Sequence, residues 1–192
     1  ADIHGSIWYL RRDELINHLE ESYPAYYTAK YGSHVAGMGK IQQMLKDDQV
    51  LLEYQLLNTE LITFIITKNN FSIHYQPIDK QVPDNIALLR NIVASDPSQS
   101  YSEEQFQSFI DASHYLYTIL IEPVYDKLKN KRITIVPHHV LTMLPFEILI
   151  SEKPDKNSRA SFKSLSYFIK EFPIVYAYSA NLLMDNNLGK KY

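Results

Sequence analysis

One stretch constrains the fold more than any other: VLLEYQLLNTELITFIITKNNFSIHYQPI, residues 50–78. It holds three strand-length runs, about Val50–Leu57, Glu60–Thr67 and Phe71–Pro77. Aliphatic, β-branched and aromatic residues recur through them, and such side chains suit a pleated, half-buried surface. Asn58-Thr59 and Lys68-Asn69-Asn70 separate the runs and are polar turn formers at hairpin spacing. Consecutive hairpins make antiparallel neighbours, so this stretch predicts an antiparallel meander. The middle run is apolar on both faces and is expected at the centre of the sheet, covered on both sides. The outer two alternate more, as partly exposed strands do.

A sheet of this kind buries its apolar faces under helices, and the flanking sequence supplies them. Over residues 8–30, Trp8, Leu10, Leu15, Ile16, Leu19, Tyr23, Tyr26 and Tyr27 recur at helical spacing, with Pro24 kinking or restarting the helix. GSHVAGMGK, residues 32–40, holds three of the five glycines and reads as a loop into a short helix through Ile41, Met44 and Leu45. It is the best boundary in the chain, dividing an N-terminal helical segment (1–31) from an α/β domain (32–192). A helix is expected over 84–95, broken by Asp96-Pro97-Ser98.

From Ser102 the signature SEEQ opens a longer helix, with Ser102 as N-cap and acidic residues in the first turn. Phe106, Phe109, Ile110, Leu116, Tyr117, Leu120 and Ile121 form its buried stripe, and Pro123 starts a further turn. Ile133–Val136 then reads as a buried strand, 151–165 as an exposed loop, and Ile174–Tyr178 as the last strand. Ser179 caps a final helix through Leu182 and Leu183. This order predicts that Ile133–Val136 and Ile174–Val175 are parallel neighbours or near neighbours, both buried. The fold class is therefore α/β: a mixed sheet, antiparallel in its N-terminal meander and parallel in its C-terminal strands, flanked by helices.

Bulk properties exclude several classes of function. The net charge of -3 argues against a dedicated nucleic-acid surface. The basic cluster Lys127, Lys129, Lys131 and Arg132 closes a helix-like segment, where cations favour the negative end of the helix dipole. No apolar run reaches membrane-spanning length, so no membrane partner is expected. The chain contains no cysteine, hence no disulfide, thiolate metal site or cysteine nucleophile. That composition fits a cytoplasmic protein. The sequence begins ADIHGSIWYL, which is no signal peptide, and ends NNLGKKY; both ends read as cut rather than natural.

ITIVPHHVLTMLPFEILI, residues 133–150, followed by YFIKEFPIVYAYSANLL resembles the CHAT domain, the caspase-like cysteine peptidase module found after tetratricopeptide repeats. The matching features are Val136-Pro137, the two-residue turn His138-His139, Leu141, the block Leu144-Pro145-Phe146-Glu147, and Tyr176 to Ala180. YPAYYTAKY and QVLLEYQLLNTELITFIITK are similar to the helix and strands that open such domains. The resemblance implies a caspase-like half domain. In the family a His-Gly pair and a Cys at the ends of two later strands form the catalytic dyad. The one His-Gly here, His4-Gly5, precedes the first expected helix. The resemblance thus implies the non-catalytic, pseudo-caspase half of the module. Its expected partners are upstream tetratricopeptide repeats and a catalytic half of the same polypeptide, together with a protein substrate or regulator.

The candidate site residues are weighed on chemistry. His138 and His139 end an apolar strand, where enzymes often keep a base, yet no thiol exists for them to activate and no third metal ligand lies nearby in sequence. They are read as an exposed turn, with acid–base or metal work as the less favoured role. Pro145 suits a first helical position and places Glu147 at the third, so Glu147 is read as a helix cap and Phe146 as a core anchor. A supporting role for Glu147 near a catalytic half is the other reading. Tyr23, Tyr26, Tyr27 and Tyr31 have two readings: partial core, or a docking face for preceding repeats. Ser179 lacks a nucleophile elbow. No catalytic, cofactor-binding or metal-ligating residue is assigned; the structural motif is Pro137, Leu144, Pro145, Phe146 and Glu147. The rival to a peptidase fragment is a stand-alone protein–protein interaction module. A distant third is an unrelated hydrolase using His138 or His139.

The missing thiol yields a first prediction. The purified chain is expected to cleave no peptide substrate and to take up no thiol-directed inhibitor. Proteolysis that survives repurification and depends on a residue of this chain would contradict it.

Overall fold

The hairpins form where the polar pairs fall. Leu57 N–H donates to the Glu60 carbonyl at 2.9 Å and Thr67 N–H to the Asn70 carbonyl at 2.9 Å, closing the two turns. They join β1 (Gln49–Leu56), β2 (Glu60–Thr67) and β3 (Phe71–Pro77) as antiparallel neighbours. The computed structural model describes residues 37–95, 101–155 and 160–180, together with His18, Ser22 and Tyr23. The helix expected over 8–30, the loop start at 32–36, the break at Asp96-Pro97-Ser98 and the final helix through Leu182 and Leu183 lie outside those residues. The chain divides into two units, Ala1–Val35 and Ala36–Tyr192. The rest of this description concerns the second.

After α1 (Met38–Met44) and the meander come α2 (Gln81–Val93) and α3 (Glu103–Leu120). Then follow β4 (Arg132–Val136), a single-turn α4 (Phe168–Glu171) and β5 (Ile174–Tyr176). The sheet order is β3-β2-β1-β4-β5, with β4 parallel to both β1 and β5. The fold is a mixed α/β sheet with helices. No described helix is long and apolar enough to cross a membrane.

The central strand is β1, where the sequence predicted β2. The reason is non-local: β4 arrives from about 80 residues away and pairs Gln49↔Arg132 through Glu53↔Val136. It thereby occupies the β1 edge that the meander leaves open. Leu51 and Leu52, on opposite faces, are both fully buried as a result. β4 and β5 are parallel neighbours as expected, with Ile133 opposite Ile174. Only β4 is buried. Among the described residues β5 is an edge strand, with Val175 58% exposed and Tyr176 44% exposed.

The two sheet faces differ. Val50, Leu52, Tyr54, Leu61, Ile65, Ile133 and Ile135 join the main core with α2, α3 and the turns after β4. On the other face Leu51, Ile66, Val136 and Ala180 form a smaller cluster with Met38, Ile41 and Leu45 of the α1 region. α3 starts as its sequence predicts: Gln105 N–H donates to Ser102 Oγ at 3.1 Å, and Ser102 N–H donates to Gln105 Oε1 at 2.9 Å. This reciprocal pair satisfies donors that a helix start otherwise leaves open. α2 begins at Gln81, earlier than expected, because Asp79 Oδ1 accepts from Gln81 N–H at 2.8 Å.

Two expectations about polar stretches are corrected. In the 151–165 segment Phe162 packs against Tyr101, Phe106 and Phe109, with centroids 4.8–5.1 Å apart. Leu165 is buried. The segment is therefore pinned to the core at its C-terminal side. The basic cluster makes specific contacts that a helix-dipole account does not require. Lys127 Nζ donates to Ser72 Oγ at 2.7 Å and Lys131 Nζ to the Asp47 carbonyl at 2.9 Å. Lys129 pairs with Asp126, and Arg132 with Asp48 at 3.0 Å. The Lys131 and Arg132 contacts hold the start of β4 against the loop before β1, and Lys127 ties the preceding turn to β3.

Glu53 is out of keeping with its neighbours. It lies on the α1 face of the central strand, opposite Phe64 on β2 and Val136 on β4, and is half-buried. Burial pushes its carboxyl above the ordinary value of 4.5. A raised acid pKa means that the folded state binds the proton more tightly, so ionisation opposes folding. The penalty is absent well below pH 4.5, grows as pH rises toward the raised value, and is complete above it. Glu53→Gln is expected to raise the urea midpoint at pH 7 and to leave it nearly unchanged at pH 3. A lower midpoint at pH 7 would show that the carboxylate has a stabilising partner.

Candidate functional site

In open α/β sheets the carboxyl ends of parallel strands are where ligands collect, so the end of β4 is the place to look. β4 runs through Val136 into Pro137 and His138. Two 3-10 turns follow, His139–Met143 and Phe146–Ile148. The chain turns sharply here: His139 has φ 55°, a left-handed conformation that costs energy for a side-chain-bearing residue. Thr142 Oγ1 donates to the His139 carbonyl at 2.7 Å and steadies the turn.

Leu144-Pro145-Phe146-Glu147 is built around one buried ring. Phe146 is fully buried, its ring 5.4 Å from that of Tyr54 and 6.3 Å from that of Tyr176. Leu144 is buried beside it, whereas Pro137 and Pro145 are partly exposed. Tyr54 is itself buried, and its hydroxyl donates to the Leu120 carbonyl at 2.9 Å, joining the sheet to the end of α3. Ser113 Oγ donates to the Ile148 carbonyl at 2.6 Å, so α3 also holds the far side of the block.

Glu147 does not cap a helix, contrary to the sequence reading. Pro145 stands at the N-cap position with an extended backbone, only a three-residue 3-10 turn follows, and no side chain caps it. The Glu147 carboxylate instead accepts from the Tyr176 hydroxyl at 2.6 Å. The same hydroxyl accepts from Phe146 N–H at 2.8 Å. Burial, and then the bond to Glu147, push the Tyr176 phenol well above its ordinary value, so it stays protonated. A protonated phenol can donate to Glu147 and accept from Phe146 at once. Tyr176 is a side chain of this site that the sequence did not single out. Its only sequence signal was its place at the start of the matching stretch Tyr176 to Ala180.

His138 is likewise more than an exposed turn residue. It is partly buried, and its Nδ1 accepts from Leu56 N–H at 3.2 Å. β4 stops pairing with β1 at Val136, and the His138 ring takes over as acceptor for the last residue of β1. Gln55 Nε2 lies 3.5 Å from His138 Nε2. His139 is exposed, its ring centroid 6.2 Å from that of His138. Among the described residues no group of three or more His, Asp or Glu could hold a metal ion. Ser179 directly precedes the helical residue Ala180. Of the proposed docking tyrosines, Tyr23 is 61% exposed; Tyr26, Tyr27 and Tyr31 lie outside the described residues.

Two contact groups therefore stand at this end of the sheet, Glu147 and Tyr176 around Phe146 and Gln55 with His138 at the end of β1, and the chain has no thiol to serve as nucleophile. In class it is a mixed α/β domain whose strand-end motif is organised by packing and hydrogen bonding. Residues 111–189 match the family model of the CHAT domain, consistent with a CHAT-domain fragment. That stretch contains most of α3, β4, the Leu-Pro-Phe-Glu block and β5. No curated protein matches the chain.

These contacts rank four substitutions. Phe146→Ala is expected to cost about 3–5 kcal/mol, as removal of a fully buried ring does. Tyr176→Phe and His138→Ala each leave a part-buried N–H without its acceptor and should cost about 1–3 kcal/mol. His139→Gly should be neutral or stabilising, because glycine adopts positive φ without strain. Urea denaturation measures all four. A His138→Ala variant as stable as the parent would remove the strand-extension role.

Proposed function

We propose that this chain is the non-catalytic part of a CHAT-type, caspase-like cysteine peptidase. In this reading it scaffolds a catalytic half and couples that half to upstream tetratricopeptide repeats. The observation that carries the reading is the CHAT match over residues 111–189 in a chain with no cysteine. The edge of β5, open among the described residues, supports it. Val175 and Tyr176 are exposed there, and a parallel sheet ordinarily continues until both faces and edges are covered. A further strand on that edge would lie against Tyr176, whose hydroxyl also holds the Leu-Pro-Phe-Glu turn. Scaffolding would then be literal: the position of an added strand bears on the turn through one phenol. The repeats would meet the tyrosines of the N-terminal segment, Tyr23, Tyr26, Tyr27 and Tyr31. A cytoplasmic setting belongs to the same reading, since a cysteine-free chain suits a reducing compartment.

The experiment begins with the coding sequence. The proposal expects it to encode, past Tyr192, a His-Gly and a later Cys, each after an apolar strand. Co-expression of that segment with this chain should yield peptidase activity that neither part shows alone. Val175→Lys, which puts a charge on the strand edge, should lower the yield of the pair while leaving this chain folded. A coding sequence without the His-Gly and Cys, or full activity from the segment alone, would overturn the proposal in favour of an interaction module.

A further inference from the structure

Among the described residues the sheet face that carries α1 is only partly covered. α1 and Leu45 pack over Leu51 and Ile66 at one end of it. Beyond them the cross-strand register lines up Ile73, Phe64 and Glu53 in one row and Tyr75, Ile62 and Gln55 in the next. Every second residue of β3 points to this side, so Phe71, Ile73 and Tyr75 stand 38%, 38% and 65% exposed. Phe71 stacks on Phe64 with centroids 6.4 Å apart, which makes the aromatic surface continuous across the β2–β3 pair. Alternation on an edge strand ordinarily sends polar side chains to solvent. Here the order is inverted: Ser72, His74 and Gln76 face the main-core side, and the apolar residues face out.

The size of the patch fixes the kind of element that fits it. From Phe71 to Tyr75 the strand runs about 14 Å, and three strands span about 10 Å between outer axes. An α-helix is about 10–12 Å wide, and about 14 Å is between two and three of its turns. Helices are also what covers the face of a mixed sheet, as α1 does at the other end of this one.

Charge fixes the partner further. Glu53 lies inside the footprint, on the central strand, and no group among the described residues pairs with it. Any helix laid over Phe64 and Ile73 would finish the burial of that carboxylate. An unpaired carboxylate is costly to bury, whereas a paired one keeps a stabilising contact. We propose that the face formed by Phe64, Ile73, Tyr75 and Glu53 docks an amphipathic helix of a partner protein that carries a Lys or Arg inside its apolar stripe. The basic side chain lies along the apolar surface on its methylene stem and brings its charge to Glu53. The proposal stands apart from the peptidase reading and uses none of its residues.

The test is selection of helices on the full 192-residue chain. The probe is a displayed library of two-to-five-turn helices randomised along one face. Selection should enrich apolar stripes interrupted by a single Lys or Arg. The same selection on Glu53→Gln should yield apolar stripes without the basic residue. For the best helix, Glu53→Gln should weaken binding by about tenfold or more. Ile73→Asp, at an exposed position, should abolish binding with the fold intact by circular dichroism. Three outcomes would sink the idea. One is the absence of any enriched apolar-stripe helix. Another is the same consensus on the native chain and on Glu53→Gln. The third is a chain that runs as a dimer and becomes monomeric with Ile73→Asp, which would give the face to a second copy.

Discussion

The structure depends on the parallel pairing of β1 with β4. Without it the meander is a three-stranded sheet with β1 on an edge. With it, β1 becomes central, and Val50, Leu51 and Leu52 are buried completely. Such pairing is expensive to reach, because a loop of about 80 residues closes before any contact forms. The chain concentrates polar contacts at the start of that strand. Arg132 N–H donates to the Asp48 carbonyl at 2.7 Å, its guanidinium pairs with the Asp48 carboxylate, and Lys131 reaches the Asp47 carbonyl. Arg132 draws the Asp48 carboxyl below its ordinary value, as an ion pair does. The pair is solvent-exposed, so its contribution is more to register than to stability.

At the other end β4 has no room for such a clamp, because the chain turns at once into the Leu-Pro-Phe-Glu block. There the fastening is a ring and a phenol. Phe146 fills the gap beside Tyr54, and the Tyr176 hydroxyl takes the amide of the same residue while giving its proton to Glu147. His138 performs a comparable task for β1 by accepting the Leu56 amide after β4 has turned away. Each device replaces a backbone partner that the geometry removed. Two side chains that look catalytic by type, a histidine after one strand and a glutamate in the following turn, thus make hydrogen bonds that hold the fold.

How much of this was legible follows from how local each feature is. β2 and β3 came out of the sequence residue for residue, and Ser102 was recognisable as an N-cap, because hairpins and capping boxes are written within a few residues. Parallel pairing of β4 with β5 was legible from element order. The centrality of β1 was not, since it depends on a partner 83 residues away. Glu147 was misread for the same reason. Its spacing from Pro145 is right for a cap, but the phenol that claims it lies 29 residues downstream. His138 was misread because a side chain accepting from another strand leaves no mark in spacing. Phe162 was hidden by its polar neighbours, although three rings surround it in space.

The position of Tyr176 shows why β5 matters beyond its short length. Its ring packs on Phe146 and its hydroxyl serves two residues of the block, yet the strand that carries it is a three-residue edge. A short edge strand is held by few ladder bonds, and local opening starts at such places. Opening at β5 would leave Phe146 N–H without its acceptor and Glu147 without its donor. The Leu-Pro-Phe-Glu turn and the β5 edge are therefore one cooperative unit. Anything that orders the edge orders the turn as well, and loosening of the turn weakens the edge by the same free energy.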